Sequence, residues 1–307
     1  MQVTLVHNPK AGGGSAPDAD ELVRLGREAG HEVRYQSAKE RGWAEVLQAP
    51  ADLVAAAGGD GTVGRVARRM IGRGVPMTAI SLGTANNIAR SLGLADLSIA
   101  DQIAGWRTAR RMPLDAGLAV GAWGRRFFIE GVGIGLFPSL IAEHRHQPTP
   151  RVADTQAVVT SAVTLLREFL RHQRAKRIHV TIDGTDISGE YLLFEIMNMP
   201  LVGPNLYLAP GGHPGDGLLD VVVVPRAQRQ DFDAYLAEWE AGHLAPARLP
   251  TFRGRDLVIR AGRHALHIDD WLAPLDGTGA DLTQPAVRVQ VLPAAVEFLV
   301  PSGTCQS

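Results

Sequence analysis

The five apolar residues Leu53-Val54-Ala55-Ala56-Ala57 run directly into Gly58-Gly59-Asp60-Gly61-Thr62, and a helical pattern over Val63–Ile71 follows. A strand with no polar residue is one covered on both faces, the setting of a parallel sheet with helices packed on either side. The flanking sequence repeats the unit. Val3–Val6, Glu32–Tyr35 and Met77–Ser81 have the character of short strands. Asp18–Ala29, Trp43–Leu47 and Asn86–Leu92 carry helical patterns, with Leu22, Leu25 and Ala29 on one face of the first. Alternation of this kind predicts βαβ units and a doubly wound α/β domain. Ligands of such sheets bind at the carboxyl ends of the strands. The glycine-rich stretches Asn8–Gly14, Gly58–Thr62 and Gly83–Asn87 follow three of those ends, so three loops are expected at one crevice.

After about Asp115 the texture changes. Leu118–Val120, Phe127–Gly135, Ile178–Asp183, Tyr191–Met197, Leu218–Val224, Leu257–Arg260, Leu266–Ile268 and Val287–Val291 are strand-like, and Asp183-Gly184 and Gly121–Gly124 suit hairpin turns. These predict an antiparallel β-sandwich, interrupted by helices over Thr155–Gln173 and Gln228–Ala241. The chain has 307 residues, beyond the size at which a single core usually stops growing. The expected division is a doubly wound parallel-sheet α/β domain over residues 1–117 and an all-β sandwich domain over 118–294, with 295–307 returning to the first.

Composition narrows the function classes. A net charge of −1 gives no global basic field for nucleic acid or anionic lipid. Cys305 is the one cysteine, which excludes an internal disulfide and a zinc site of paired cysteines. No apolar run approaches the roughly 20 residues that span a bilayer, and Met1–His7 lacks the pattern of a signal peptide. The expectation is a cytoplasmic protein whose membrane contact, if any, is transient and peripheral; oligomeric state is not legible. Arg167, Arg171 and Arg174 share a stripe of the Thr155–Gln173 helix, a pattern of ordinary surface helices and also of faces that rest on anionic lipid. His264, His267, Asp269 and Asp270 put too few polar groups on one strand face for zinc without a further ligand.

Gly58–Thr62 carries the chemistry. Glycines let backbone approach a ligand or adopt positive φ, and the helix that follows offers free N–H groups to an anion. Asp60 among phosphates would repel them unless it holds Mg²⁺, a hydroxyl or a water. The alternative is a strand-to-helix turn in which Asp60 is a local cap. No Gly-Lys-Ser/Thr occurs, and no Gly-x-Gly-x-x-Gly joins the first strand to the first helix, so neither a Walker A loop nor a dinucleotide fingerprint is present.

Asn8-Pro9-Lys10-Ala11-Gly12, Gly58–Thr62 and Leu82-Gly83-Thr84-Ala85-Asn86-Asn87-Ile88-Ala89-Arg90 resemble, in order and spacing, the three N-terminal motifs of the diacylglycerol kinase catalytic domain. That family includes soluble bacterial lipid kinases and sphingosine and ceramide kinases. Pro113-Leu114-Asp115 and Gly131–Gly135 resemble its inter-domain region, and Leu208-Ala209-Pro210 with Gly215–Asp220 resembles its second-domain metal loop. The resemblance covers nearly the whole chain. It implies a nucleotide domain, a β-sandwich, an active site between them, and transfer of the ATP γ-phosphoryl group to a lipid hydroxyl. By the same resemblance Asn8, Pro9, Ser37, Gly58, Gly59, Asp60, Gly61, Thr62, Gly83, Thr84 and Asn86 would hold the nucleotide. Asp60 would act through Mg²⁺ or orient the nucleophile. Asp216, with carbonyls near His213 and Leu218, would hold a second, structural Mg²⁺, linked through water to Asp115.

The chain also departs from the family pattern. The family's base is usually the Glu of Asp-Gly-Glu, and the matching stretch here is His267-Ile268-Asp269-Asp270-Trp271. Asp269 is kept, Trp271 stands at the Glu position, and Asp270 is the remaining candidate base if the strand bulges there. Asp276-Gly277-Thr278 does not restore the motif. Gly215 replaces the first Asp of the metal loop, and Gly64-Arg65 the usual Asn-Glu. The readings carried forward are an ATP- and Mg²⁺-dependent lipid kinase, a catalytically weak relative that binds nucleotide or lipid, and a kinase for a soluble acceptor.

Overall fold

A computed structural model describes residues 1–13, 16–146, 155–260, 262, 264–273 and 286–302. Gly14, Asp276-Gly277-Thr278 and Cys305 lie outside these. The chain divides into two units, Met1–Leu114 with Arg151–Thr155 and Ala294–Ser307, and Asp115–Pro150 with Gln156–Pro293.

In the first unit β1 (Gln2–His7) pairs in parallel with β2 (Glu32–Ser37) on one side and β3 (Leu53–Gly58) on the other, and β3 pairs in parallel with β4 (Met77–Ser81). The helices are α1 (Ala19–Glu28), α2 (Asp60–Met70), α3 (Asn87–Ser91) and α4 (Ile99–Gly105). Asp18 caps α1 by accepting the Glu21 N–H at 2.9 Å, which satisfies one of the helix's unpaired donors. Leu53, Ala55 and Ala57 of β3 pack with Leu22 of α1 and Ile103 of α4 in one core. Val54 and Ala56 face the other way and are equally buried; α2 packs on β3 and β4 and buries Val66, Ala67 and Met70. Helices on both faces of a parallel sheet explain why β3 contains no polar side chain. Connections leave β1 and β3 in opposite directions across the sheet, which makes their junction the switch point of the fold.

The second unit is antiparallel. β5 (Arg110–Gly121) turns at Gly121–Gly124 into β6 (Gly124–Phe128), followed by β7 (Gly131–Gly135), α5 (Leu136–His146) and α6 (Thr155–His172). β8 (Lys176–Ile182) and β9 (Thr185–Asp186) form a hairpin through Asp183 (φ 48°) and Gly184 (φ 86°), the left-handed pair that a tight two-residue turn requires. Then come β10 (Gly189–Met197), the short pair β11 (Leu201–Val202) and β12 (Leu206–Tyr207), β13 (Leu219–Pro225), α7 (Arg229–Glu240), β14 (Thr251–Gly254), β15 (Asp256–Arg260), β16 (Leu266–Ile268), β17 (Trp271–Leu272) and β18 (Val287–Val300). β10 is central, bonded to β7, β8 and β13. Phe194 and Ile196 enter a core shared with β8, β13 and β15. Leu193 and Met197 enter a second core built with α5, α6 and α7.

The structure redraws several boundaries. α2 begins at Asp60, three residues before the predicted Val63. The predicted strand Phe127–Gly135 is two strands broken at Ile129-Glu130. Val287–Val291 and Val296–Val300 belong to one strand, β18, with Ala294 at φ 49° inside it. β18 pairs with β15 in the second unit, and in the first its Phe298 pairs in parallel with Met77. Of the basic stripe, Arg171 is exposed on α6 and Arg174 is exposed beyond its end, whereas Arg167 is paired. Arg167 is bound to Asp233 at 3.1 Å and Glu240 at 2.5 Å on α7.

Candidate functional site

The loops after β1, β3 and β4 meet at the C-terminal edge of the parallel sheet. The Asn8 N–H donates to Ala57 O at 2.9 Å, and the Leu82 N–H to Gly58 O at 3.0 Å. Ser37 ends β2 in register with His7, one residue before Asn8. Asn8 turns its Oδ1 to the Lys10 N–H at 3.2 Å; Pro9 and Thr84 are exposed. Asn86, left-handed at φ 54°, accepts from the Gly83 N–H at 2.9 Å and donates to Gly83 O at 2.8 Å, closing the third loop on itself. The nucleotide candidates named from sequence are thus brought to one edge of one sheet. Arg65 lies beside them, its Nε on Gly61 O at 3.2 Å and its guanidinium 5.6 Å from the Trp43 ring centre.

Positive φ, one of the two reasons expected for these glycines, does not apply to the second and third loops. None of Gly58, Gly59, Gly61 or Gly83 is left-handed; Gly12 (φ 80°) and Gly13 (φ 64°) are. A Cβ on Gly83 would lie 2.3 Å from the Gly59 Cα, so the second and third loops are in backbone-to-backbone contact. Neither side of that contact is a flexible side chain. Gly83→Ala is therefore expected to destabilise the first unit by about 1–3 kcal/mol, the usual range for overpacking, measured by denaturant unfolding. A change below about 0.5 kcal/mol would show that the loops separate easily.

Asp60 is the first residue of α2, and its Oδ1 accepts the Ile88 N–H at 2.9 Å. Burial pushes its carboxyl up, the N–H groups of Ile88, Asn87, Asp60 and Asn86 oppose this, and the net shift is upward. The carboxylate ties the start of α2 to the start of α3. Backbone donors around an anion offset its charge, so the conflict between Asp60 and phosphate anticipated from sequence is lessened by the protein's own amides. Gly59, the residue before α2, has no side chain to cap it; in the first turn the Asp60 N–H faces its own carboxylate and the Thr62 N–H donates to Gly59 O at 2.8 Å.

In the second unit His267–Trp271 is not one strand. β16 ends at Ile268, Asp269-Asp270 form the turn, and Trp271 opens β17. The requirement for a bulge falls away, because alternation of faces does not continue through a turn. Asp269, at φ 47°, accepts the N–H groups of Ile129 (3.2 Å), Glu130 (2.9 Å) and Gly131 (3.3 Å). Those bonds hold the break between β6 and β7. Asp270 is exposed. Trp271 lies under the Arg126 guanidinium at 4.1 Å and edge-on to Trp123 at 5.7 Å.

Behind the turn is a pair that sequence reasoning missed. His267 was assigned to a polar strand face, yet it is 3% exposed; its Nδ1 meets Asp269 O at 2.9 Å and its Nε2 lies 3.0 Å from Glu195 Oε1. Glu195 is fully buried on β10, on the face that carries Leu193 and Met197. A Cβ on Gly133 would sit 1.7 Å from Glu195 Oε2, so the glycines of β7 make room for this carboxylate. The available signal was a lone acid inside the apolar run Tyr191–Met197.

The four residues of the second-domain loop also come together. Asp115 is 1% exposed; its Oδ2 accepts the Gly217 N–H at 2.7 Å and its own N–H donates to Pro214 O at 2.6 Å. His213 O accepts from Gly215 (2.8 Å) and Asp216 (3.3 Å), and Asp216 Oδ1 accepts the Leu218 N–H at 3.0 Å. The second Asp216 oxygen is bound to Arg253, which sequence reasoning had not singled out.

Residues 2–119 match the diacylglycerol kinase catalytic domain, and residues 147–300 the YegS C-terminal NAD kinase beta sandwich-like domain. A Pseudomonas aeruginosa (strain UCBPP-PA14) protein named "Probable lipid kinase YegS-like" is 32% identical over 73% of this chain and 72% of its own. A diacylglycerol kinase of Mycobacterium tuberculosis (strain ATCC 25618 / H37Rv) is 24% identical over 98% of this chain and 95% of its own. The crystal structure of a diacylglycerol kinase from Bacillus anthracis str. Sterne shares the fold, with a TM-score of 0.70 at 19% identity over 99% of this chain and 98% of that one. Yeast NADH kinase complexed with NADH is more distant, with a TM-score of 0.55 at 11% identity over 98% and 84%. Matches in both parts of the sequence, and a relative this similar over most of its length, make the chain a member of the diacylglycerol kinase catalytic-domain family of kinase-type phosphotransferases.

Proposed function

We propose that the chain transfers the γ-phosphoryl group of ATP, bound as its Mg²⁺ complex, to the hydroxyl of a diacylglycerol-like or sphingoid lipid. The observation that carries this reading is the closure of the β3 and β4 loops around Asp60 at the start of α2. Phosphoryl transfer asks little covalent work of a protein; it needs phosphates held in line and their charge neutralised. Backbone N–H groups at Gly58–Thr62, with Asn8, Pro9, Ser37, Gly83, Thr84 and Asn86, hold the nucleotide. Mg²⁺, when bound, would neutralise phosphate charge, and Asp60 would hold the ion or orient the acceptor hydroxyl. Asp270 takes the acceptor proton. The lipid acceptor is carried over from the names of the relatives.

A second reading, binding without turnover, has one observation in its favour: the indole of Trp271 is packed between Arg126 and Trp123 where the family pattern calls for a carboxylate. Purified protein with labelled ATP, Mg²⁺ and a panel of lipids separates the two. Lipid phosphorylation that falls about 10²–10⁴-fold in Asp270→Asn is the expected result. Saturable nucleotide binding with no transfer to any lipid supports the second reading. Transfer to soluble hydroxyl compounds alone overturns the lipid acceptor.

A further inference from the structure

The resemblance implies a structural divalent cation in the loop between His213 and Asp220. Mg²⁺ demands about six oxygens near 2.0–2.1 Å in octahedral array, and this loop does not offer them. The His213 carbonyl receives two N–H groups, Asp115 Oδ2 receives the Gly217 N–H, and Asp216 Oδ1 receives the Leu218 N–H. The remaining Asp216 oxygen faces a guanidinium. Arg253 projects from β14 opposite Asp220, its register partner on β13, and binds both carboxylates: Nε lies 3.1 Å from Asp220 Oδ1, and an NH2 group meets Asp216 Oδ2. Asp220 is 5% exposed, so its carboxylate needs a fixed partner. Arg255, two residues on, closes the other side by donating Nε to Gly217 O at 3.3 Å. Gly215 fits the same picture. With one carboxylate fewer in the loop, Arg253 ties together Asp216 and Asp220, and a divalent ion seated on the same Asp216 oxygen would have to displace the guanidinium.

We propose that the Arg253 side chain takes the place of the family's structural metal, so that this loop is closed by an internal cation and binds no divalent ion. A planar guanidinium suits the role because it bonds two carboxylates at once and stays charged at any working pH. The inference concerns the loop alone and stands whether or not the chain phosphorylates a lipid.

The test uses the full, nucleotide-free chain and Mn²⁺ as a spectroscopic probe for Mg²⁺. Wild-type protein is expected to show no Mn²⁺ binding that depends on Asp216, and the same Tm with EDTA as with Mg²⁺. Arg253→Met is expected to lower Tm by roughly 2–4 °C or more, with Arg253→Lys recovering part of the loss. The proposal is overturned by a Mn²⁺ ion bound to wild type and lost in Asp216→Asn, or by a wild-type Tm that drops on chelation. An Arg253→Met protein melting with the wild type also overturns it. Should Arg253→Met fail to fold, the two wild-type measurements still decide.

Discussion

Asp60→Asn is expected to slow phosphoryl transfer by about 10²–10³-fold while leaving the melting temperature within roughly 4 °C of wild type. The two effects separate because Asp60 has two roles in the proposed function. As an acceptor for the Ile88 N–H it joins α2 to α3, and an asparagine Oδ1 accepts that bond equally well. As a negative charge among the N–H groups of Asn86, Asn87 and Ile88, it is the group available to hold Mg²⁺ or orient a hydroxyl, and asparagine lacks that charge. Asp60→Ala removes both roles. It strands the Ile88 N–H in a buried position and should cost a further ~1–3 kcal/mol of stability. Kinetics at several Mg²⁺ concentrations sharpen the comparison: if Asp60 works through the ion, the Asn variant needs more Mg²⁺ to reach half its own maximal rate. Turnover within about threefold of wild type in Asp60→Asn would reduce Asp60 to a cap and remove it from the chemistry.

The parallel sheet and the meeting of its loops at one edge were legible in the sequence because they are local. An unbroken apolar run and the residues after it specify a buried strand and its turn without reference to distant contacts. Where the reading slipped, local pattern and tertiary contact disagreed. Gly61 and Thr62 are poor helix formers, which hid the start of α2, although N-terminal positions tolerate them. Leu266 and Ile268 alternate correctly, and nothing nearby says that alternation stops at Asp269; the turn is fixed by amides of Ile129–Gly131, far away in sequence. The strand read over Val287–Val291 continues as β18 to Val300, through Pro293 and a left-handed Ala294. The pairing of Arg253 with Asp216 and Asp220 depends on the register of β13 against β14, a strand that local pattern had not assigned, so no reading of the metal loop in isolation could find its cation.

Removing either member of the Glu195–His267 pair is expected to cost about 3–5 kcal/mol of folding stability, because the survivor is left charged or unsatisfied in a buried site. Replacing both at once, Glu195→Met with His267→Leu, should cost far less than the sum of the single changes, since the double variant buries only apolar groups. The pair also gives stability a pH dependence of known sign. Burial opposes the His267 imidazolium, but Glu195 beside it and the Asp269 carbonyl more than offset this, so its pKa lies above the ordinary 6.5. Burial pushes Glu195 up from 4.5 against the pull of His267. Both shifts mean that the folded chain holds protons more tightly than the unfolded one. The stabilisation is therefore full below both unfolded values, begins to fall as pH rises past 4.5 through the folded value of Glu195, and falls further past 6.5 through that of His267. His7, His31 and His264 are lowered mainly by burial and act in the opposite sense, so the diagnostic quantity is the difference between wild type and the double variant. Urea unfolding from mildly acidic to mildly alkaline pH should show that difference shrinking as pH rises. Parallel curves for the two proteins would mean that the pair exchanges no proton over that span, and the coupling between Glu195 and the Asp269 turn would then be packing alone.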